Sequence, residues 1–217
     1  MDRKNKLPKF PDSYLGEKAE EYNNLTWMER NQKRTTLKCV EYLFDKNLGE
    51  ENDEIHEKSS KIILDLGCGT GFSSEILLQN GFRVIGIDLL IDMLTLATEK
   101  KKMLKNNNLG LILSDINYLP LKISSIDHVI SVSAYNFITH NNHGLREKRK
   151  TLNNTAKYLN KLLKKNGRAI IELYPESDEE LDLFASSFTN NGFKGFKIKD
   201  NPNQKSGKTF LLLKKTR

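Results

Sequence analysis

The stretch Lys-Ile-Ile-Leu-Asp-Leu-Gly-Cys-Gly-Thr-Gly, from Lys61 to Gly71, constrains the fold more than any other part of the chain. An apolar run, Ile62 to Leu64, ends at a carboxylate, Asp65, and Gly67, Gly69 and Gly71 follow at every second position ahead of a helical-looking segment. The pattern predicts a strand, a tight turn and a helix start, with glycines that allow positive φ and let a ligand lie close on the backbone. Its spacing differs from the dinucleotide fingerprint, in which two residues separate the second and third glycines and the helix N-terminus holds a pyrophosphate.

A carboxylate at this turn repels a pyrophosphate but suits a ligand bearing an amine and a sulfonium charge, which is the chemistry of S-adenosylmethionine. A second acidic residue sits where a nucleoside needs one. Val84 to Ile87 reads as the next strand and Asp88 ends it, about 20 residues after the glycines, placed to accept hydrogen bonds from both ribose hydroxyls. Such charge-assisted bonds contribute about 1.5 to 3 kcal/mol each. A third short apolar run, Leu109 to Leu113, is closed by Ser114, Asp115 and Ile116.

Strand-like and helix-like segments alternate along the rest of the chain. Gly16 to Leu43 reads as two helical pieces broken around Asn23 and Asn24, and 44–60 as an acidic, apolar-poor loop. Helices are predicted after the glycine turn as far as Asn80-Gly81, over Ile91 to Lys105, over Leu145 to Lys164 ending at Asn166-Gly167, and from a Ser177/Glu180 capping box to about Asn190. Further strands are predicted over Ile126 to Val132, Arg168 to Tyr174, Lys194 to Lys199 and Lys208 to Leu213, the last two as an antiparallel hairpin. Such alternation implies a mostly parallel sheet with helices on both faces, and a ligand site at the strand C-termini where Asp65, Asp88 and Asp115 all fall.

At 217 residues, with 37% hydrophobic and 29% charged side chains, the chain has room for one domain with a full core and does not have the composition of a disordered one. It reads as a single domain, 1–217: an N-terminal arm and helices over 1–44, an acidic loop over 45–60, and a core over 61–217. Its apolar runs are too short for a membrane span and its start lacks a secretory apolar region, so a cytoplasmic protein is expected. Neither the two cysteines, Cys39 and Cys68, nor the four histidines have metal-ligand spacing, and no metal is expected. The net charge of +7 is uneven: 50–57 is acidic, while 146–150, 161–168 and 194–217 are basic, which puts any nucleic-acid face toward the C-terminal half.

The glycine turn, Asp88 and Asp115-Ile116 resemble the class I S-adenosylmethionine-dependent methyltransferases, from Gly16 onward. Three further stretches narrow the likeness. Glu21-Tyr22-Asn23-Asn24-Leu25-Thr26 with Gln32, Ile130-Ser131-Val132-Ser133-Ala134, and Leu173-Tyr174-Pro175-Glu176-Ser177 with Asn191-Gly192-Phe193-Lys194-Gly195 and Asp200-Asn201-Pro202-Asn203 resemble the eukaryotic small-subunit ribosomal RNA guanine-N7 methyltransferases. Phe137 stands where those enzymes usually have tryptophan and Trp27 where they have arginine, and the chain is similar to a shorter, archaeal-like form. The resemblance implies an α/β, Rossmann-like class I methyltransferase fold, a mostly parallel seven-stranded sheet with a terminal antiparallel hairpin. It implies S-adenosyl-L-methionine as cofactor, held by Tyr22, Asp65, Gly67, Cys68, Gly69, Asp88, Leu89, Asp115, Ile116 and Ser131.

On this reading the acceptor is an RNA, a guanine of the small ribosomal subunit or its precursor, and the protein serves ribosome biogenesis. Guanine N7 carries a free lone pair, so no general base is expected. Tyr135, Asn136 and Phe137 are expected to form one wall for the flipped base, with Asn136 reading its edge, and Tyr174 and Pro175 the other. The resemblance also implies a small zinc-binding activator protein that pairs with the 109–113 strand at the sheet edge. A small-molecule methyltransferase on the same fold, or a ribosome-assembly factor with dispensable catalysis, are the alternatives.

Overall fold

The computed structural model describes residues 9–49, 60–200 and 207–216. Its strands are β1 (Ile62–Leu66), β2 (Arg83–Asp88), β3 (Leu109–Leu113), β4 (Ile126–Ser131), β5 (Leu163–Leu173), β6 (Phe193–Lys199) and β7 (Thr209–Lys215). They form one sheet in the order β3-β2-β1-β4-β5-β7-β6. The first five pair in parallel, and β7 enters antiparallel between β5 and β6. The order reverses between β1 and β4, which opens a crevice at the C-terminal end of β1.

Among the described residues, six α-helices, α1 (Glu17–Asn23), α2 (Thr26–Leu43), α3 (Phe72–Gln79), α4 (Ile91–Leu104), α5 (Leu145–Leu162) and α6 (Asp178–Thr189), surround the sheet. Strand alternation divides the core in two. Ile63, Ile170 and Leu212 join Val40 and Leu43 of α2 and Leu77 of α3 in one buried layer. Leu64, Ile171 and Leu211 join Leu152 and Leu159 of α5 and Phe184 and Phe188 of α6 in the other. With both faces covered, the central strands are apolar on both sides, as a parallel sheet requires.

The predicted break between the first two helices falls at Asn24 and Leu25, and β3 occupies the sheet edge. One boundary differs. The helix expected to end at Asn166-Gly167 stops at Leu162, and Leu163 already pairs with Ile126. The register then shifts before His128 pairs with Arg168, and Asn166 takes φ +63° within that irregularity. Leu163 is buried in either reading, so its helical spacing from Leu152, Ala156 and Leu159 carried no warning.

Ser177 Oγ caps α6 by accepting from Glu180 N at 3.2 Å, while the Glu180 carboxylate accepts from Glu176 N rather than from the cap residue. Arg168, at the end of a basic run, is buried and donates to the carbonyls of Leu43 and Gly49. Most of the expected acidic loop, 50–59, lies outside the described residues. Among the described residues no helix is long and apolar enough to cross a membrane.

Candidate active site

The glycine turn directs its backbone donors inward. Gly67 N and Cys68 N both donate to the carbonyl of Ile87, at 2.8 and 2.9 Å, and Gly69 N donates to Asp88 Oδ2 at 2.8 Å. A turn with its N–H groups engaged in this way cannot cradle a phosphate, which is the physical content of the non-dinucleotide spacing. Gly67 sits at φ +70°, and a Cβ there would lie 2.2 Å from the Ala134 side chain, so this glycine is what lets the segment after β4 close on the turn. Gly86 of β2 plays a complementary part: a Cβ on it would meet Cys68 Sγ at 2.9 Å.

Beyond the turn lies an open-mouthed cleft. Gly67, Gly69, Asp88, Leu89, Asp115 and Ile116 form its floor and one side. Val132, Ser133, Ala134, Phe137 and Ile138 form the other, and Tyr22 and Gln32 close the end, joined by a 2.5 Å hydrogen bond from Gln32 Nε2 to Tyr22 OH. The segment 9–14, read from sequence as an arm, covers the cleft. Its 3-10 turn, Asp12–Tyr14, brings Tyr14 to 5.1 Å from the Tyr22 ring, and Phe10 stacks on Phe137 at 4.7 Å with His140 against its edge at 4.8 Å. Gly16 N anchors the arm to Asp92 Oδ2 at 2.9 Å. Burial raises the Tyr14 phenol to about 12 and pushes Tyr22 up as well, so both stay neutral.

The sequence candidates separate into three groups. Tyr22, Gly67, Gly69, Asp88, Leu89, Asp115, Ile116 and Phe137 line the cleft. Asp65, Cys68 and Ser131 stand behind its wall. Asp65 is 1% exposed and accepts from Ser73 Oγ and Ser74 Oγ at 2.7 and 2.6 Å, bracing the turn against the start of α3. Its Oδ1 has no hydrogen-bond partner among the described residues, and burial raises its pKa from 3.8 to about 6. Ser131 Oγ donates to the carbonyl of Leu66, tying β4 to β1.

The expected base-stacking set is the third group. Tyr135 is fully buried against Phe184 and Phe188 and faces the core, not the cleft. Asn136 has both ends of its amide on backbone: Oδ1 accepts from Tyr174 N at 3.0 Å and Nδ2 donates to Tyr174 O at 3.1 Å. It clamps the 3-10 turn Tyr135–Thr139 to the end of β5 rather than offering a free edge. Tyr174 is 46% exposed and, like Pro175, lies outside the cleft lining.

Glu172 was missed from sequence. This fully buried carboxylate accepts from Tyr174 OH at 2.7 Å and from cleft-lining Ser133 Oγ at 3.0 Å, with Lys208 Nζ 3.5 Å away. A charge inside the apolar run Ala169 to Leu173 was the signal that could have found it.

A family model described as a methyltransferase domain matches residues 57–209. The chain belongs to the class I S-adenosylmethionine-dependent methyltransferases. Among curated relatives, the 18S rRNA (guanine-N(7))-methyltransferase of Bos taurus is 34% identical over 151 residues, 69% of this chain and 52% of that protein. The 18S rRNA (guanine(1575)-N(7))-methyltransferase of Saccharomyces cerevisiae is 30% identical over 207 residues, 94% of this chain and 69% of that one. The chain thus spans about half to two thirds of these relatives' length. Among solved structures, magnesium protoporphyrin IX methyltransferase from Synechocystis PCC 6803 superposes with a TM-score of 0.67 at 18% identity, covering 94% of both chains. The PH0226 protein of Pyrococcus horikoshii OT3 gives 0.64 at 18% identity, covering 91% of this chain and 99% of that one. At that identity the likeness establishes the fold alone.

The residues of this methyltransferase fit S-adenosylmethionine. Asp88 Oδ1 accepts from Leu90 N at 3.0 Å and Oδ2 from Gly69 N, which fixes the carboxylate at the strand tip with a lone pair left on each oxygen for a ribose hydroxyl. Asp88, lining the cleft, and Asp65, buried behind its wall, form no ion pair among the described residues, so a cationic ligand suits the site of this methyltransferase. When bound, S-adenosylmethionine supplies an electrophilic methyl group on a cationic sulfur.

Proposed function

We propose that the protein methylates N7 of a guanine in small-subunit ribosomal RNA and serves ribosome biogenesis. The observation that carries this reading is the likeness to the yeast guanine-N7 enzyme across 94% of the chain. The site chemistry agrees with it. Guanine N7 is unprotonated at neutral pH, so the protein has to orient a base, not deprotonate it. Phe137 offers the stacking face, Ser133 a hydroxyl held by Glu172, and the Asn136 clamp fixes the distance between the loops after β4 and β5. Base stacking of this kind contributes about 1 to 3 kcal/mol.

The proposal includes a partner. Asn108 and Ser114 bond to β2, so by alternation the amides and carbonyls of Leu109, Leu111 and Leu113 face the free edge of β3. A small zinc-binding activator protein adding its own strand there would cover an apolar edge on which Leu113 is 53% exposed. The test of the reaction is methyl transfer from labelled S-adenosylmethionine to isolated small-subunit RNA, with the modified base mapped. Label on a guanine N7 is the expected result; label that enters only a metabolite extract sinks the reading.

A further inference from the structure

The sequence marks three basic runs in the C-terminal half, and the structure separates them by what their charges already touch. Lys164 lies 2.9 Å from Asp127 and Lys197 3.4 Å from Asp182, Lys208 is beside Glu172, and Lys215 donates to the carbonyls of Asn160 and Leu163. With Arg168 buried, these five cations are already engaged within the fold.

Helix α5 is different. Its one acidic residue, Glu147, accepts from His143 N, and at about 100° per residue Arg146, Lys150, Lys157 and Lys161 fall within about 60° of one another. Leu152, Ala156 and Leu159 bury the opposite face. All four cations are exposed, and none forms an ion pair among the described residues. The line is about 22 Å long. It begins at the cleft, since Gly144 caps α5 only four residues after cleft-lining His140. Lys148, on the buried side, approaches Glu180 of α6 at 4.0 Å, so the acidic first turn of that helix stays clear of the line.

We propose that this stripe is a phosphate track along which the RNA strand carrying the acceptor base leaves the cleft mouth. The inference rests on the RNA reading above and names the surface that reading needs. A membrane surface fits poorly, because the apolar face of α5 is committed to the core and the stripe itself is polar throughout. A row of like charges at helical repeats suits a polymer with regularly repeated anions.

The experiment compares Lys150→Gln/Lys157→Gln/Lys161→Gln with Lys101→Gln/Lys102→Gln/Lys105→Gln, an equal charge change around the end of α4. Binding of a fluorescein-labelled single-stranded small-subunit rRNA fragment is followed by anisotropy across a KCl series, with S-adenosylmethionine binding as the measure of intact folding. The stripe variant should lose about 2 from the log–log salt slope while the control loses less than about 1. Equal slopes for the two variants overturn the proposal, as does displacement of the RNA by polyglutamate as readily as by unlabelled RNA, which marks an acidic protein as the partner. Wild-type protein that binds RNA through the stripe but transfers no methyl to it overturns the guanine reading and leaves the track. Transfer that persists undiminished in the stripe variant does the reverse.

Discussion

Asp65 is ionisable, fully buried and only half satisfied, so its charge should be linked to the ligand. Burial raises it to about 6 against an ordinary value of 3.8, despite the two serine hydroxyls that pull it down. The folded state therefore favours the protonated form: this group costs no stability below about 4, and its penalty grows as pH rises to about 6 and is constant above. A cationic ligand reverses the preference by stabilising the carboxylate. S-adenosylmethionine affinity should accordingly be level above pH 7 and weaken below 6, by up to about tenfold per unit. Calorimetric titration across that range checks this, and Asp65→Asn should flatten the profile; an unchanged profile in the variant removes Asp65 from the linkage. Asn136 gives the second residue-scale test. With its amide clamping Tyr174, Asn136→Ala should leave cofactor affinity within about threefold and lower methyl transfer about a hundredfold, since a misplaced loop costs orientation and not cofactor binding. Full activity in that variant dismisses the clamp. At this scale the carboxylates were legible because strand ends and charge coincide in sequence. Phe10, Tyr14 and His140 were not, since they come from separate segments and meet only once the arm folds over the cleft.

The N-terminal arm and the turn after β4 meet ring to ring, and this contact decides how an acceptor enters. Phe10 lies on Phe137 with 14° between ring planes, in the position a stacked base would take on the guanine reading. An aromatic pair of this kind contributes about 0.5 to 1.5 kcal/mol, so Phe10→Ala should lower the acceptor KM about two- to tenfold. Phe137→Ala, which removes the platform itself, should raise it by about tenfold or more. Steady-state kinetics on the RNA substrate read both, and a Phe10→Ala enzyme with a raised KM makes the arm part of the base's binding site instead. Most elements were readable from periodicity and glycine punctuation, as for α3 ending at Asn80-Gly81. The start of β5 was not: Gly167 fits only because it packs against Leu163 and the Asp127 carbonyl, and nothing local reports such a contact.

Parallel pairing and the edge position of β3 were legible from alternation and from the carboxylates that end successive strands, of which Asp88 and Asp115 line the cleft. What alternation leaves open is what covers β3, whose outer side carries the backbone groups of Leu109, Leu111 and Leu113. Under the activator proposal those groups pair with a strand of another protein, and a substitution there can cut that pairing without touching β2. Leu111 is the position: its N–H points away from β2, so proline removes one outward donor while the inward bonds of Gly110 and Ile112 remain. Co-expressed with a zinc-binding partner, the wild-type chain should elute as a heterodimer and remain soluble longer than the chain alone. Leu111→Pro should bind S-adenosylmethionine normally yet elute without the partner. A wild-type chain that is monodisperse and fully active by itself removes the need for a partner, and a Leu111→Pro chain that still co-elutes moves the contact to another edge, of which β6 at the far side of the sheet is the other one available.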